Sequence, residues 1–139
     1  MQIKIYDILP ECAAKIRMEV FVEEQGFHEE IDALDKEATH FVVFEKETPV
    51  ATCRVYKNLQ LNAYMVGRIC VLKAYRGRNI GKCLLRAAED FVKGKGDEKL
   101  ILRAQCQALP FYEKCGFSAH GKIVYEEGCP HRWMEKAFL

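Results

Sequence analysis

The alternation of hydrophobic and polar residues predicts seven strands along the chain. Residues 3–8 alternate with a period of two, which is typical of a half-buried strand. Residues 40–44 and 50–56 flank a polar turn that ends at Pro49, and this pattern predicts an antiparallel hairpin. The remaining strands are predicted over residues 64–72, 100–104, 123–125 and 133–138, with residues 126–130 separating the last two.

Helical periodicity predicts further elements between these strands. Residues 79–95 carry apolar side chains at the i, i+3, i+4, i+7 spacing throughout, which predicts an amphipathic helix. Pro10 is suited to open a helix, and we expect that helix to end near Glu24. Residues 25–37 are acidic and predict either a short second helix or a loop, and residues 108–114 predict a short helix. This order of elements indicates a mixed α/β domain with helices on a sheet.

Composition narrows the class of protein. The chain has 139 residues, half of them hydrophobic, which fits one globular domain over residues 1–139. With 21 basic and 20 acidic side chains the net charge is +1, so no broad field attracts nucleic acid or an anionic membrane. No apolar run approaches the roughly 20 residues of a membrane span, and no signal peptide is recognisable, so we expect a cytoplasmic protein.

The cysteines do not follow a metal or disulfide pattern. Seven cysteines are scattered along the chain without a C-x-x-C pair. An odd number in a chain without a signal peptide favours reduced thiols. We therefore expect neither a disulfide nor a bound metal.

The segment of residues 71–82 has the features of an anion-binding turn. It lies between a predicted strand and the clearest predicted helix. The first turn of a helix offers unpaired N–H groups and the positive end of its dipole, and small residues let a phosphate approach them. Arg76, Arg78 and Lys82 add positive charge. A plain turn with solvated basic residues is the alternative for an isolated pattern of this kind.

A nucleoside-triphosphate P-loop is a second alternative for the same segment. Residues 77–83 superficially match G-x-x-x-x-G-K-S/T. The loop is one residue short, however, and Cys83 stands where a hydroxyl must bind magnesium. These two differences argue against a P-loop.

The turn resembles the cofactor motif Q/R-x-x-G-x-G/A of the GNAT superfamily of N-acetyltransferases. Arg76 and Gly81 match the motif, and Asn79 replaces its middle glycine. Asparagine is the non-glycine residue that best tolerates left-handed backbone angles, so this departure is mild. The resemblance implies that acetyl-CoA is the cofactor, with its pyrophosphate on backbone amides of the turn and its pantetheine arm along the preceding strand. It assigns to the cofactor Cys70, Val71, Leu72, Arg76, Gly77, Arg78, Asn79, Ile80, Gly81, Lys82 and, from a second motif, Gln105.

That second motif lies in residues 105–117. It resembles the family signature N-x-x-A-x-x-F-Y-x-x-x-G-F, with Gln105 in place of the asparagine. The resemblance implies a sheet of about seven mostly antiparallel strands that is splayed at the cofactor site, with about four flanking helices. It also implies that Tyr112 donates a proton to the departing CoA thiolate, since a tyrosine with a pKa of about 10 is protonated at neutral pH. Packing in the core is the alternative role for this aromatic ring.

The acceptor amine must lose a proton before it attacks, because an alkylammonium has a pKa of about 10.4. Residues 128–131 resemble the segment that carries a histidine base in some small-molecule members of the superfamily, which implies His131 as the base. A surface or interface histidine is the alternative. Glu24 is the second candidate base.

Other polar residues are candidates for the acceptor site. Arg17 could bind an acidic group of the substrate, and Glu24 could contact the acceptor. His40, Arg54 and Arg68 have the same status as Arg17. An ordinary surface or ion-pairing role is the alternative for each of them.

The two motifs together predict transfer of the acetyl group of acetyl-CoA to an amine of a small molecule or a protein. We expect direct attack within a ternary complex, in a monomer or homodimer. A covalent route through Cys70 or Cys106 is disfavoured, because neither cysteine has a histidine or a cation beside it in sequence. A non-catalytic module that senses acetyl-CoA and binds a protein partner is the alternative from another class.

Overall fold

A computed structural model describes residues 1–28 and 31–138. The strands are β1 (Gln2–Tyr6), β2 (Thr39–Glu45), β3 (Thr48–Asn58), β4 (Ala63–Val71), β5 (Lys99–Gln105), β6 (Ser118–Glu126) and β7 (Cys129–Ala137). The α-helices are α1 (Glu11–Arg17), α2 (Ile80–Gly94) and α3 (Leu109–Lys114). A π-helix spans Met18–Glu24, and short 3-10 helices span Ala33–Lys36, Lys73–Tyr75 and Cys106–Ala108.

The seven strands are hydrogen-bonded in the order β1-β2-β3-β4-β5-β7-β6. The β1–β2, β2–β3, β5–β7 and β6–β7 pairs are antiparallel, and β4 pairs with β5 in parallel. The predicted mixed α/β fold with seven mostly antiparallel strands is therefore confirmed. The described β4–β5 pairs, Tyr64 with Leu100 and Met65 with Ile101, lie near the start of each strand. A splay farther along these strands stays a prediction.

The described chain divides into two compact units. The first comprises Met1–Tyr56 with Val66–Ala88, and the second comprises Lys57–Met65 with Glu89–Leu139. The turn that resembles the family's cofactor motif (the cofactor turn, residues 76–81) belongs to the first unit, whereas Tyr112 and His131 belong to the second.

Helix α2 follows the predicted periodicity closely. Its buried residues recur at helical spacing, as they must on a face that packs against a core. They are Ile80, Leu84, Leu85, Ala88, Glu89 and Val92. Just beyond the helix Gly96 adopts a φ of 82°, and its N–H donates to the carbonyl of Lys93. The helix predicted over residues 79–95 is confirmed.

The first predicted helix has the expected length but two hydrogen-bond patterns. Helix α1 ends at Arg17, and the chain continues to Glu24 as a π-helix, in which the Gln25 N–H donates to the carbonyl of Val20. Val20 is buried with residues of α1 in one hydrophobic cluster. The spacing of apolar residues thus predicted the buried face of this helix. It did not predict the change to the wider turns of a π-helix. Of the acidic segment at residues 25–37, Ala33–Lys36 is a 3-10 helix, and Glu29 and Glu30 lie outside the described residues.

The hairpin of β6 and β7 is longer than predicted. A two-residue turn joins the two strands, and its residues Glu127 and Gly128 have φ values of 48° and 78°. Two successive left-handed residues are what a tight hairpin turn requires. The prediction of a separating loop over residues 126–130 is therefore wrong. Strand β6 lies at the sheet edge and is largely exposed, so it lacks the apolar run that would have revealed its length.

A buried cluster of charges holds the first unit together. Arg17 is only 1% exposed, and its two terminal nitrogens donate to the two oxygens of Asp35 at 2.8 and 2.9 Å. Arg54 donates to Asp35 as well, at 3.0 Å. Burial alone would raise the pKa of Asp35, but the bonds from Arg17 and the Asp32 amide and the charges of both arginines hold that pKa well below its usual range.

We predict that Asp35→Asn lowers the free energy of unfolding by about 3–5 kcal/mol, because it removes the buried carboxylate that pairs with both Arg17 and Arg54. The native pKa of Asp35 is depressed, so its contribution is complete above the unfolded value of about 3.9 and is lost as pH falls through the native value. Urea unfolding at neutral and acidic pH measures both effects.

The matched control for this experiment is Glu11→Gln, which removes an exposed carboxylate 3.5 Å from Lys15. Exposed pairs contribute little to stability. A loss in Asp35→Asn no greater than that in the control would contradict a structural role for the cluster.

Candidate active site

The cofactor turn enters helix α2 through left-handed residues. Gly77 has a φ of 81° and Asn79 a φ of 63°, as expected of an asparagine that replaces a glycine. The Cys83 N–H donates to the carbonyl of Asn79 at 3.1 Å. The amides of residues 80–82 precede this bond, so they have no carbonyl one turn earlier in the helix. They form the positive end of a helix of 15 residues, which suits a phosphate.

Arg76 braces the turn against the π-helix. Its terminal nitrogens donate to both carboxylate oxygens of Glu24 at 2.8 Å, and its Nε donates to the carbonyl of Val71 at 2.9 Å. The hydrogen bonds from Arg76 lower the pKa of Glu24, with a further contribution from the charges of Arg76 and Lys73. Glu24 is thus held beside the cofactor turn in its ionised form, and its role as the second candidate base stays a prediction.

The other basic residues of the turn differ in their partners. Arg78 donates from one nitrogen to both oxygens of Glu45 at 3.1 and 2.9 Å and lies 5.4 Å from the centre of the Tyr75 ring. Lys73 and Lys82 are exposed, and no ion pair is described for either within residues 1–28 and 31–138. The turn and the residues beside it therefore carry two arginines that form ion pairs with glutamates and two exposed lysines.

Part of the backbone assigned to the pantetheine arm already has partners in the chain. The Leu72 N–H donates to the carbonyl of Val50 at 2.9 Å, and the Leu72 carbonyl accepts from Tyr75 at 2.8 Å. The Val71 carbonyl accepts from Arg76, and the Cys70 side chain is buried. The Leu72 amide is thus engaged within the chain, and the assignment of Cys70, Val71 and Leu72 to the cofactor stays a prediction.

Strand β4 contains a left-handed residue at Arg68, with a φ of 51°. This irregular angle lies directly after Gly67. Asp32 accepts from Arg68 at 3.3 Å and from Arg54 at 2.6 Å. A left-handed residue inside a strand is typical of a bulge, which turns nearby peptide groups away from the regular ladder.

The remaining substrate-binding candidates of the first unit are buried. Arg17 and Arg54 donate to Asp35, and the buried His40 ring has its Nε2 2.9 Å from the Asp35 carbonyl oxygen. Burial lowers the pKa of His40. The structure thus shows Arg17 and Arg54 in buried ion pairs and His40 in a hydrogen bond to a backbone carbonyl, while substrate binding by Arg17 stays a prediction.

The second motif forms helix α3 and its C-terminal turn. Phe117 is buried, its N–H donates to the Tyr112 carbonyl at 3.0 Å, and its ring meets the half-buried Tyr112 ring edge-on at 6.1 Å. Gly116 has a φ of 95°, and a Cβ there would lie 3.0 Å from Cε of Lys136. Lys136 itself donates to the Cys115 carbonyl at 2.8 Å. The motif's glycine and final phenylalanine thus end the helix that carries Tyr112.

His131 is the third residue of β7, opposite Gln105 of β5, and is buried. Its Nδ1 lies 2.9 Å from the Cys129 carbonyl oxygen. A carbonyl can only accept, so we assign the proton to Nδ1, which leaves Nε2 as the acceptor of the neutral ring. Burial and the charge of Arg103 lower the pKa of His131, although the bond to Cys129 opposes this shift. The ring is therefore neutral at neutral pH, as a base must be.

The cysteine environments argue against a thiolate nucleophile. Cys53 and Cys70 are buried, and burial strongly raises the pKa of the Cys53 thiol. Burial, together with the nearby Cys106, raises the pKa of Cys129. The thiolate is the reactive form, so raised pKa values lower reactivity.

No helix in the described ranges is long and apolar enough to cross a membrane. Among the same residues, no group of three or more His, Cys, Asp or Glu side chains is arranged to hold a metal ion.

Residues 9–138 match the acetyltransferase (GNAT) domain family, so the chain belongs to this family of acetyltransferases. It is 39% identical over 124 residues to the uncharacterized N-acetyltransferase YjcF of Bacillus subtilis, covering 87% of each chain. The crystal structure of Escherichia coli ElaA superposes with a TM-score of 0.84 at 26% identity, covering 97% of this chain and 99% of ElaA. An aminoglycoside 6′-N-acetyltransferase complexed with coenzyme A shares the fold, with a TM-score of 0.76, 14% identity and coverage of 100% and 98%.

Sequence reasoning missed several residues that shape the two parts of the site. Each is a charged residue whose partner lies far away in sequence, so no local pattern distinguishes it from a solvated surface charge. They are Asp32, Asp35, Glu45, Arg103 and Glu126.

Proposed function

We propose that the protein transfers the acetyl group of acetyl-CoA to an amine by direct attack within a ternary complex. The observation that carries this proposal is the left-handed turn at Gly77 and Asn79, which leads the backbone into the N-terminus of α2. The amides of residues 80–82 are placed to hold a pyrophosphate without help from arginine side chains. Membership in the acetyltransferase family supports the same chemistry.

Each residue has a defined task in this mechanism. His131 accepts a proton from the acceptor ammonium, so that the nitrogen lone pair can attack the thioester carbonyl carbon. A backbone N–H near the left-handed Arg68 polarises that carbonyl. As the carbon–sulfur bond breaks, its electron pair stays on sulfur, and Tyr112 donates a proton to the thiolate. The strongly raised pKa of the buried Cys53 thiol disfavours a covalent enzyme intermediate at that residue.

The acceptor is an amine of a small molecule or a protein. A net charge of +1 supports neither nucleic acid nor an anionic membrane as partner. We propose that the protein works in the cytoplasm as a monomer or homodimer.

Gly81→Asp is expected to weaken acetyl-CoA binding sharply, because a carboxylate would face the pyrophosphate at the N-terminus of α2. Isothermal titration calorimetry measures the change. Gly94→Asp is the control, since it places the same charge at the other end of the helix, where a Cβ meets nothing within 4 Å. Equal affinities of two folded variants would refute the proposed pyrophosphate site.

Tyr112→Phe is expected to lower kcat by about 10²-fold while leaving affinity for acetyl-CoA unchanged, because the ring packing is kept and only the proton donor is lost. Release of free CoA thiol during amine screening gives the rate. Tyr125→Phe is the control, since Tyr125 is exposed on β6. Tight acetyl-CoA binding without turnover of any amine by the parent would favour the sensing module.

His131→Ala is expected to remove the acidic limb of the pH–rate profile. The base acts in its unprotonated form, so the parent rate should fall as pH drops through a pKa below 6.5. His120→Ala, which alters an exposed histidine of β6, should keep the parent profile. An unchanged limb in His131→Ala would return this residue to a structural role.

A further inference from the structure

Glu126 is the exposed member of a close carboxylate–imidazole pair. It ends β6, and one of its oxygens lies 3.3 Å from Nε2 of His131. The side chain of Glu126 is 37% exposed, whereas that of His131 is only 6% exposed. A bulky acceptor therefore reaches the carboxylate more readily than the ring nitrogen that the proton must finally occupy.

Both members of the pair are held in place. Arg103 of β5 donates to the other oxygen of Glu126, and its guanidinium lies 5.3 Å from the centre of the Trp133 ring. His131 is oriented by its bond to the Cys129 carbonyl. The short turn between β6 and β7 places Glu126 opposite Cys129 in the strand register. A relay of protons needs this kind of fixed geometry.

The charged groups around the His131 ring act in opposite directions. Arg103, from β5, disfavours the imidazolium, and Glu126, from β6, favours it. The other titratable groups nearby are Cys129 on the ring's own strand and Cys106, which lies beside Cys129. Removing either charged neighbour should therefore move the titration of His131, and in opposite senses.

We propose that Glu126 is a further catalytic residue, which takes a proton from the acceptor ammonium and passes it to Nε2 of His131. This inference rests on the proposed function. The nitrogen keeps the electron pair of the broken N–H bond and uses it to form the C–N bond to the acetyl carbonyl. The C–S pair leaves on sulfur, which takes the proton of Tyr112, and the second amine proton restores Tyr112. One proton per turnover is thus held on His131 and then returns to solvent through the exposed Glu126 carboxylate.

A simple surface ion pair between Arg103 and Glu126 would behave differently. Such pairs contribute little, and their removal leaves catalytic rates largely unchanged. The relay instead requires the Glu126 carboxylate for turnover, even though Gln has nearly the same size and can keep one hydrogen bond.

NMR titration of the histidine rings tests the coupling without any substrate. We expect the pKa of His131 to fall in Glu126→Gln and to rise in Arg103→Gln, with His131→Ala identifying its signal. Glu135→Gln is the matched control, because Glu135 lies 3.4 Å from Nε2 of the exposed His120. It should leave the titration of His131 unchanged. An unmoved His131 in Glu126→Gln would overturn the relay.

Kinetics supply the second test. Glu126→Gln should lower kcat by about 10²-fold, leave the KM for acetyl-CoA unchanged and shift the acidic limb to lower pH, whereas Glu135→Gln should do none of these. A parent enzyme that turns over, together with an equally fast Glu126→Gln variant, overturns this inference and leaves the proposed function intact. A parent that transfers acetyl groups to no amine overturns both, and an NMR shift would then report only a structural pair.

Discussion

The carboxylate of Asp35 accepts hydrogen bonds from Arg17 and Arg54, and the first compact unit depends on this buried cluster. It joins α1 to β3, and through Arg54 it reaches Asp32, which also accepts from the left-handed Arg68 of β4. The cluster therefore links the interior to the irregular point of the strand that precedes the cofactor turn. A buried ion pair of this kind offers little net stability over apolar packing, yet losing one partner is costly, so it constrains which elements meet.

Ion pairs also hold the cofactor turn, in this case at the surface. Glu24 and Glu45 hold the side chains of Arg76 and Arg78, so these arginines shape the turn while the backbone amides remain for an anion. The pKa of Glu24 is lowered because this carboxylate accepts from Arg76, and Glu24 stays the second candidate base. The two glutamates thus balance the positive charge of the two arginines in the turn.

In the second unit, the β6–β7 hairpin sets the properties of His131. The two-residue turn lets β6 continue to Glu126, whose carboxylate then lies beside a ring that burial keeps neutral. A neutral imidazole with a fixed tautomer can accept and hold a proton near neutral pH. If the turn were the longer loop that the sequence suggested, β6 would not continue to Glu126 and would not place this carboxylate beside His131.

The sequence by itself determined the elements with strong periodicity, including the hairpin of β2 and β3 and helix α2, and the turn whose left-handed Asn79 replaces a glycine. These features depend on local burial and local backbone angles, which residue types record directly. Only the tertiary structure decided that Arg17 pairs with Asp35 and that Glu126 meets both Arg103 and His131. Arg17 and Asp35, like Glu126 and Arg103, are distant along the chain, and Glu126 meets His131 through the register of one hairpin. These partners follow from strand order and register, which side-chain types alone do not encode.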